Sequence, residues 1–518
     1  MKNLKFSFIM IAATALLLSA CGSKVSSTTG WDYNNSEWGG FEKSSYTEQQ
    51  TGPGLVFIEG GSFQMGRVAD DSRFQWNNLV HTVTVSSFYI DECEVSNINY
   101  REFVYWMNRA YGEEYPQMIR KIYPDTCVWR DRLAWRENFV ENYFQCAMFD
   151  DYPVVGVTWE QASQFCKWRT DRVNEKILVD AGIIDLAQSE LNGAEAFQTD
   201  VYLAGAFKGE GKGVPDLDPS KGGDSRNVRR SDGILLPNYR LPTEAEWEFA
   251  ALGMIGNTYD ERVVEHKTYP WAGSSVRSAN KKYYGQFLAN FKRSRGDAMG
   301  VAGNLNDGWE YTAPVKWYFP NDYGLYHMAG NVSEWCADVY RKDANPIGGE
   351  DMNPFRGNVY QYVAMGEDEE EVALDEATGN LIYQNVPDDM NRRNYRQADN
   401  INYLDGDWSS SIYDFDQGSA VESWRQDGES EDEGDEEYKR SNEDQTNQMY
   451  RRIDSTDNGN NVTSMINNRV RVVKGGSWRD RAYWMQCGTR RYYDQDMGTS
   501  WIGFRCAMDR MGSRTVAN

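Results

Sequence analysis

Histidine is almost missing from this chain: His81, His266 and His327 are the only three in 518 residues. That scarcity argues against a zinc centre or an active site run by a histidine base. Basic charge is also short. Fifty-four lysines and arginines face 78 acidic residues, a formal net charge of -24. Such a balance argues against a nucleic-acid partner or a polybasic membrane patch, while leaving calcium open. Long apolar runs are missing too. The run from Phe6 to Leu18 is too short to span a bilayer. No fixed-period repeat appears. The eight cysteines follow no metal-binding spacing. Aromatics are plentiful instead, with 18 tryptophans and 32 tyrosines. They suit a core built from rings, or aromatic binding loops, and the two are compatible.

Lys2 and Lys5 precede the apolar run, and Leu18-Ser19-Ala20-Cys21 follows it, as in a signal peptide over residues 1–20. The cysteine after small residues resembles the bacterial lipobox. It implies a mature chain beginning at lipidated Cys21. Gly22, with no aspartate beside the cysteine, favours the outer membrane, with the chain lipid-anchored and facing the periplasm. Residues 21–50 read as a polar tether. Trp31, Tyr33, Trp38 and Phe41 are too aromatic for a plain linker; they either pack back on the domain or bind a partner. Seven cysteines remain beyond Cys21, so at least one is unpaired; Cys127 and Cys146 are the plausible local pair.

Residues 51–510 read as one mixed domain with inserts at 111–151, 171–237 and 341–468, and residues 511–518 as a tail. Leu55 to Glu59 is a strand, and Thr82 to Val85 an extended run continuing through Phe88, Tyr89 and Ile90. Ser96 caps a helix with Tyr100, Phe103, Val104 and Met107 on one face, ending near Gly112. Thr158 with Gln161, and Thr243 with Glu246, form capping boxes for two more helices. The segment 177–187 is apolar, and 208–230 reads as a loop. The 341–468 insert carries two acidic runs, Glu367 to Glu371 and Glu429 to Glu437, which read as solvated. Arg471 to Lys474 is a strand, Gly475-Gly476 a turn, and Ile502 to Ala507 the last core stretch. In NDYGLYHMAGNVSEWCAD (Asn321 to Asp338), Gly330 and Asn331 favour a turn with positive φ. Glu334 then brings a carboxylate near turn carbonyls, which suits a hard cation such as calcium.

Several motifs recur in one order: GGSFQMG at Gly60, HTVTVSSFYIDECEVSNINYREF at His81, YPVVGVTWEQASQFCKWR at Tyr152, YRLPTEAEWEFAA at Tyr239, the loop above, RVVKGGSW at Arg471 and GFRCA at Gly503. The series strongly resembles the formylglycine-generating-enzyme (sulfatase-modifying-factor) family. The resemblance implies an α+β, C-type-lectin-like mixed fold with much irregular structure and large inserts. It implies two structural calcium sites. One would use Asn290, the Phe291 carbonyl, Asp307 and the Trp309 carbonyl. The other would use Asn331, Glu334 and the carbonyls of Gly330 and Val332. Members oxidise a sulfatase cysteine to formylglycine with a copper-binding cysteine pair, since soft thiolates suit Cu(I). Counted from Gly475, the pair's positions here are Asp480 and Met485, and the neighbouring histidine position is Arg481. Ser477 does match the family serine. Cys487 lies two residues beyond the second position, so a slip of register rescues one thiol and not both. The resemblance therefore implies a pseudoenzyme with no copper.

The lipobox, TGWDYNNSEWGGFE, the cysteine-free pair positions and the acidic insert together resemble the gliding-motility lipoprotein J group of Bacteroidota. That closer likeness implies a nonenzymatic outer-membrane scaffold for gliding motility and type IX secretion. Its partners would be outer-membrane lipid through Cys21, the sister lipoprotein K and its ring partners. Two alternatives stand beside it: a calcium-dependent peptide- or glycan-binding module, and a metal-dependent oxidoreductase of the formylglycine-generating family.

Overall fold

The computed structural model describes residues 25–512, apart from 45–47, 69–77, 132–134, 186–192, 219–224, 257–266, 294–307, 341–360, 367–371, 376–378, 386–468 and a few single positions. Cys21, His266, Asp307 and most of the long acidic insert thus lie outside the described residues. The described chain divides into two compact units. The larger comprises 49–173, 191–196 and the chain from 236 onward; the smaller comprises residues up to 48, 174–190 and 197–235.

The larger unit holds two four-stranded sheets. The first orders β1 (Leu55–Ile58), β4 (Phe88–Asp91), β10 (Ala507–Asp509) and β5 (Tyr239–Arg240), all antiparallel. The second orders β8 (Arg491–Asp494), β7 (Val470–Lys474), β6 (Ser333–Val339) and β9 (Ile502–Gly503). In it β9 runs parallel to β6, with Ile502 opposite Ser333. A separate hairpin pairs β2 (Gly61–Met65) with β3 (His81–Val85). The extended run expected from Thr82 to Ile90 is therefore two strands. Its first half alternates half-buried and exposed side chains in the hairpin. Its second half is buried throughout, so both faces of this central strand are covered by the core.

Three helices frame the sheets. α1 (Asn97–Tyr111) begins after Ser96, which sits at the N-cap position without a side-chain cap bond. α2 (Trp159–Asp180) has the Thr158–Gln161 box in both directions, at 3.1 and 2.9 Å. α3 (Glu244–Leu252) has the Thr243–Glu246 box and ends on Gly253 in the left-handed region. α2 runs on through Ile177, so part of the expected apolar insert segment is simply its last turns. The 111–151 insert is folded. Its short helices Pro116–Ile122 and Glu137–Asn142 flank a ring cluster in which Trp129 meets Phe139, Tyr143 and Tyr311. In the smaller unit Leu178, Ile183, Ile184, Phe197, Tyr202 and Val228 form a core of their own. Within 208–230 a short ribbon pairs Val214–Pro215 with Ser225–Arg226. Among the described residues, no helix is long and apolar enough to cross a membrane.

Candidate functional site

The loop entering β6 stitches the distant motifs together. His327, Gly330 and Asn331 take φ of 53°, 79° and 62°. A Cβ on Gly330 would lie 2.4 Å from the Asn290 carbonyl oxygen, so backbone strain and space both require glycine there. Asn331 N–H donates to that same Asn290 oxygen at 2.8 Å. Gly330 N–H donates to the Gly475 carbonyl at 2.9 Å, and Trp478 N–H to the Asn331 carbonyl at 2.7 Å. The glycine turn after β7 is thereby fixed against the calcium-type loop.

Asn331 is fully buried and saturated. Its Oδ1 accepts from Ala313 N–H at 2.7 Å and Asn290 Nδ2 at 3.3 Å. Its Nδ2 donates to both oxygens of Glu94, at 3.1 and 2.9 Å. Burial, then the neighbouring Glu334 charge, pushes the Glu94 carboxyl well above its ordinary range; Arg505 and Asn331 act the other way. Glu334 accepts a guanidinium fork, Arg505 Nε to Oε2 and a terminal nitrogen to Oε1, both at 2.6 Å. Trp247 Nε1 donates to Oε2 at 2.7 Å. Glu334 and Arg505 are both wholly buried.

The two implied calcium sets fit unequally. Asn290 donates its Nδ2 to the Tyr311 carbonyl at 2.6 Å, but its buried Oδ1 has no hydrogen-bond partner. An orphaned buried oxygen is what a missing hard cation leaves behind. Phe291 is buried beside it, and the Trp309 ring lies edge-on to Trp317 at 5.0 Å. Asp307 is outside the described residues. In the second set the side-chain oxygens are already engaged: both Glu334 oxygens are bonded to Arg505, and the Asn331 oxygen takes two N–H donors. Asn331 and Glu334 thus fit a protein-to-protein frame better than a cation shell, and the Gly330 and Val332 carbonyls alone do not make one. Among the described residues, no three His, Cys, Asp or Glu side chains converge as a metal cluster.

Where the cysteine pair would stand, the structure has an ion pair and a thioether. Ser477, fully buried, donates its hydroxyl to Asp480 Oδ2, and Arg491 donates to the same oxygen. The Arg491 guanidinium lies 4.7 Å from the Trp484 ring centre and 4.4 Å from that of Trp501. Met485 is fully buried among Tyr269, Phe287, Ala289, Phe291 and Ala329. Cys487 belongs to a different core cluster with Trp247 and Met328, and burial raises its thiol well above the ordinary value. A carboxylate held by a guanidinium and a thioether in an apolar cluster do not fit Cu(I) held by two thiolates.

All seven described cysteines are free, Cys127 and Cys146 included. The close pair is instead Cys166 and Cys506, with Sγ atoms 3.3 Å apart in the core. Cys506 N–H there bonds Asp91, which Arg169 grips in turn. His327 is buried with Nε2 2.9 Å from the Pro314 carbonyl oxygen, and burial pushes its pKa down to about 4. The decisive residues that sequence reasoning passed over are Glu94, Trp247 and Arg505. Arg505, a charge within the otherwise apolar GFRCA stretch, carries a pattern that signals a buried pair; Glu94, among Asp91, Glu92 and Ser96, carries none.

Residues 40–381 match the FGE-sulfatase model, described as the sulfatase-modifying factor enzyme 1-like domain. The chain is similar to the formylglycine-generating enzyme of Thermomonospora curvata, 26% identical over 304 residues, 58% of this chain and 77% of that one. It is also similar to the inactive C-alpha-formylglycine-generating enzyme 2 of Mus musculus, 24% identical over 322 residues, 59% and 73% of the two chains. Among solved structures, PvdO from Pseudomonas aeruginosa overlays with a TM-score of 0.39 at 14% identity, over 88% of this chain and 94% of that one. The mixed α+β reading stands, and the matched domain and the relatives named above do not speak to its C-type-lectin-like part. They overturn the gliding-motility and type IX secretion scaffold. The relatives this chain matches include formylglycine-generating enzymes, inactive paralogues and the serine/threonine-protein kinase pkn1 of Chlamydia pneumoniae. Of the features that suggested the scaffold, the leader cysteine and most of the acidic insert lie outside the described residues, while TGWDYNNSEWGGFE and the cysteine-free pair positions are described and do not by themselves mark that group. The motifs that remain are those of the wider family. By its matched domain and the order of its motifs, the chain belongs to the sulfatase-modifying factor enzyme 1-like (FGE-sulfatase) family.

Proposed function

We propose that this chain is a catalytically silent member of its family, a domain that keeps the family frame without oxidising a peptide cysteine. The family holds both active enzymes and inactive paralogues, so the site must decide. The observation that carries the reading is the Ser477–Asp480–Arg491 cluster, which fills one thiol position with a neutralised carboxylate. Met485, buried in an apolar cluster, fills the other. With those donors no soft, two-coordinate copper is held, and no cysteine of a bound peptide is brought to it. What persists is the frame around the site: the Gly330–Gly475 and Asn331–Trp478 backbone bonds and the Glu334–Arg505 fork.

A single structural calcium belongs to the same proposal, on Asn290, the carbonyls of Phe291 and Trp309, and Asp307. The unpaired Asn290 oxygen supports it. Calcium there would fix loop backbone and take no part in chemistry.

The test mixes the full chain with Cu(I) and a cysteine-containing peptide cut from a sulfatase, and follows copper uptake and peptide mass. The expected outcome is no stoichiometric tight copper and no aldehyde product, under conditions where an active relative yields it. Repeated turnover to formylglycine would overturn the reading.

A further inference from the structure

Three rings on residues 25–43 face water without need: Trp31 is 55% exposed, Trp38 48% and Phe41 66%. The segment that carries them is firmly built. A Val25–Asp32 bridge closes a small hairpin, with Ser26 N–H on the Trp31 carbonyl at 2.8 Å. Asn34, at φ 57°, holds Lys43 twice: its Nδ2 donates to the Lys43 carbonyl at 3.0 Å, and its Oδ1 accepts Lys43 N–H at 2.6 Å. Gly40, at φ +66°, passes so near Leu217 that a Cβ would lie 2.1 Å from its carbonyl oxygen. Glu42 then locks the segment onto the ribbon of the same unit. Its Oε1 accepts Leu217 N–H at 3.0 Å and its Oε2 accepts Arg226 Nε at 2.9 Å. Arg226 also donates to Asp232 at 2.7 Å, and this ion network is mostly buried.

Single exposed rings are ordinary on a protein surface, whereas several held together on one fixed segment are informative. Here the rings are held outward and lean on one another. Trp31 meets Trp38 edge-on at 5.8 Å, and Tyr33 meets Phe41 at 5.7 Å. Position in the chain says what covers them. Val25 is four residues after Cys21, and four residues of extended chain reach at most about 14 Å. An acyl group on Cys21 would hold these rings within one segment's length of a bilayer. Tryptophan favours the boundary between headgroups and acyl chains. A lipid chain gains firm attachment from a second contact. Asp32 and Glu37 lie on the segment, and the whole chain is strongly acidic. The second contact must therefore be apolar rather than electrostatic.

We propose that Trp31, Trp38 and Phe41 form an interfacial contact with a bilayer of neutral phospholipid, seating the smaller unit beside an acylated Cys21. This stands apart from the silent-site reading and does not depend on it. The full chain, produced with its own leader, is reconstituted into phosphatidylcholine vesicles with brominated acyl chains. Brominated lipid should quench the share of emission carried by two of the eighteen tryptophans, and high salt should not relieve it. The Trp31→Ala/Trp38→Ala variant, with an unchanged thermal melt, should lose that quenching. Independently of any variant at the rings, hydrogen exchange over 25–43 should slow on vesicles relative to the soluble Cys21→Ser chain. The mass of the N-terminal peptide reports acylation separately. An acylated chain with unquenched rings and unchanged exchange overturns the contact and leaves the anchor. An unmodified Cys21 on a chain that does not float with vesicles overturns both.

Discussion

Replacing Arg505 by methionine tests whether the Glu334 carboxylate belongs to a guanidinium or to a cation. Arg505 makes two charge-assisted bonds to Glu334 at 2.6 Å, and donates to the Asp91 carbonyl at 3.1 Å and the Tyr326 carbonyl at 2.9 Å. Its loss leaves Glu334 and Glu94 as buried acids facing one another without a counter-charge. Two charge-assisted bonds at about 1.5–3 kcal/mol each give roughly 3–6 kcal/mol. Measured losses of one partner in a buried ion pair run about 3–5 kcal/mol. The two routes agree on about 4 kcal/mol. For a cooperative core of about 250 described residues that is a fall of roughly 8 °C in Tm. Urea unfolding read by tryptophan fluorescence measures it directly. The double variant Arg505→Met/Glu334→Leu should recover most of the loss, because it removes the stranded charge along with its partner. Both differences from wild type, each compared at the same calcium level, should be equal in calcium and in EGTA. If millimolar calcium closes the gap between Arg505→Met and wild type, Glu334 is a calcium ligand and the reasoning fails.

Chelation of the wild-type chain should lower Tm through the Asn290 set, and Asn290→Ala should abolish that dependence; an EGTA-insensitive melt with calcium removal verified by mass spectrometry counts against the site. The His327 ring, pushed down to about 4 by burial, should stay neutral in the folded chain at pH 5.5 by NMR. The unfolded chain binds that proton and the folded chain does not, so stability falls as pH drops from about 6.5 to 4, by roughly 3 kcal/mol. Asp338, raised to about 7 by burial, works in the opposite sense over roughly the same range, so the ring's own resonance rather than overall stability is the proper readout. Cys166 and Cys506, 3.3 Å apart and buried, should resist oxidised glutathione in the folded chain but lose two hydrogens when the chain is refolded in a glutathione redox buffer, closing a long loop and adding about 3–5 kcal/mol of stability; Cys166 and Cys506 still alkylatable after unfolding of the refolded chain would refute this.

What could be read in advance followed the range of the interactions. Capping boxes at Thr158 and Thr243 lie within four residues, so their chemistry is visible in the string, and both form. Ser96 has the right type and position, yet its hydroxyl makes no cap bond. A capping serine marks where a helix starts without guaranteeing the bond. Period alone could not separate β3 from β4, because the turn between them sends one half to a hairpin and the other to the sheet. The site shows the same limit more sharply. That Asp480 and Met485 replace thiols is a count along one segment. That Arg491 returns to neutralise Asp480, stacked on Trp484 and Trp501, depends on the pairing of β7 with β8. Glu94 and Asn331 are 237 residues apart, and their bond exists only because the loop before β6 has turned left-handed at Gly330 and Asn331. That contact left no trace in the string, since Glu94 lies among Asp91, Glu92 and Ser96; a charge inside an apolar stretch, as Arg505 is in GFRCA, did leave one. Arg471, buried in β7 and lying 4.1 Å from the Trp159 ring centre, carries it too. Such charges are costly unless paired, so each announces a partner without naming it.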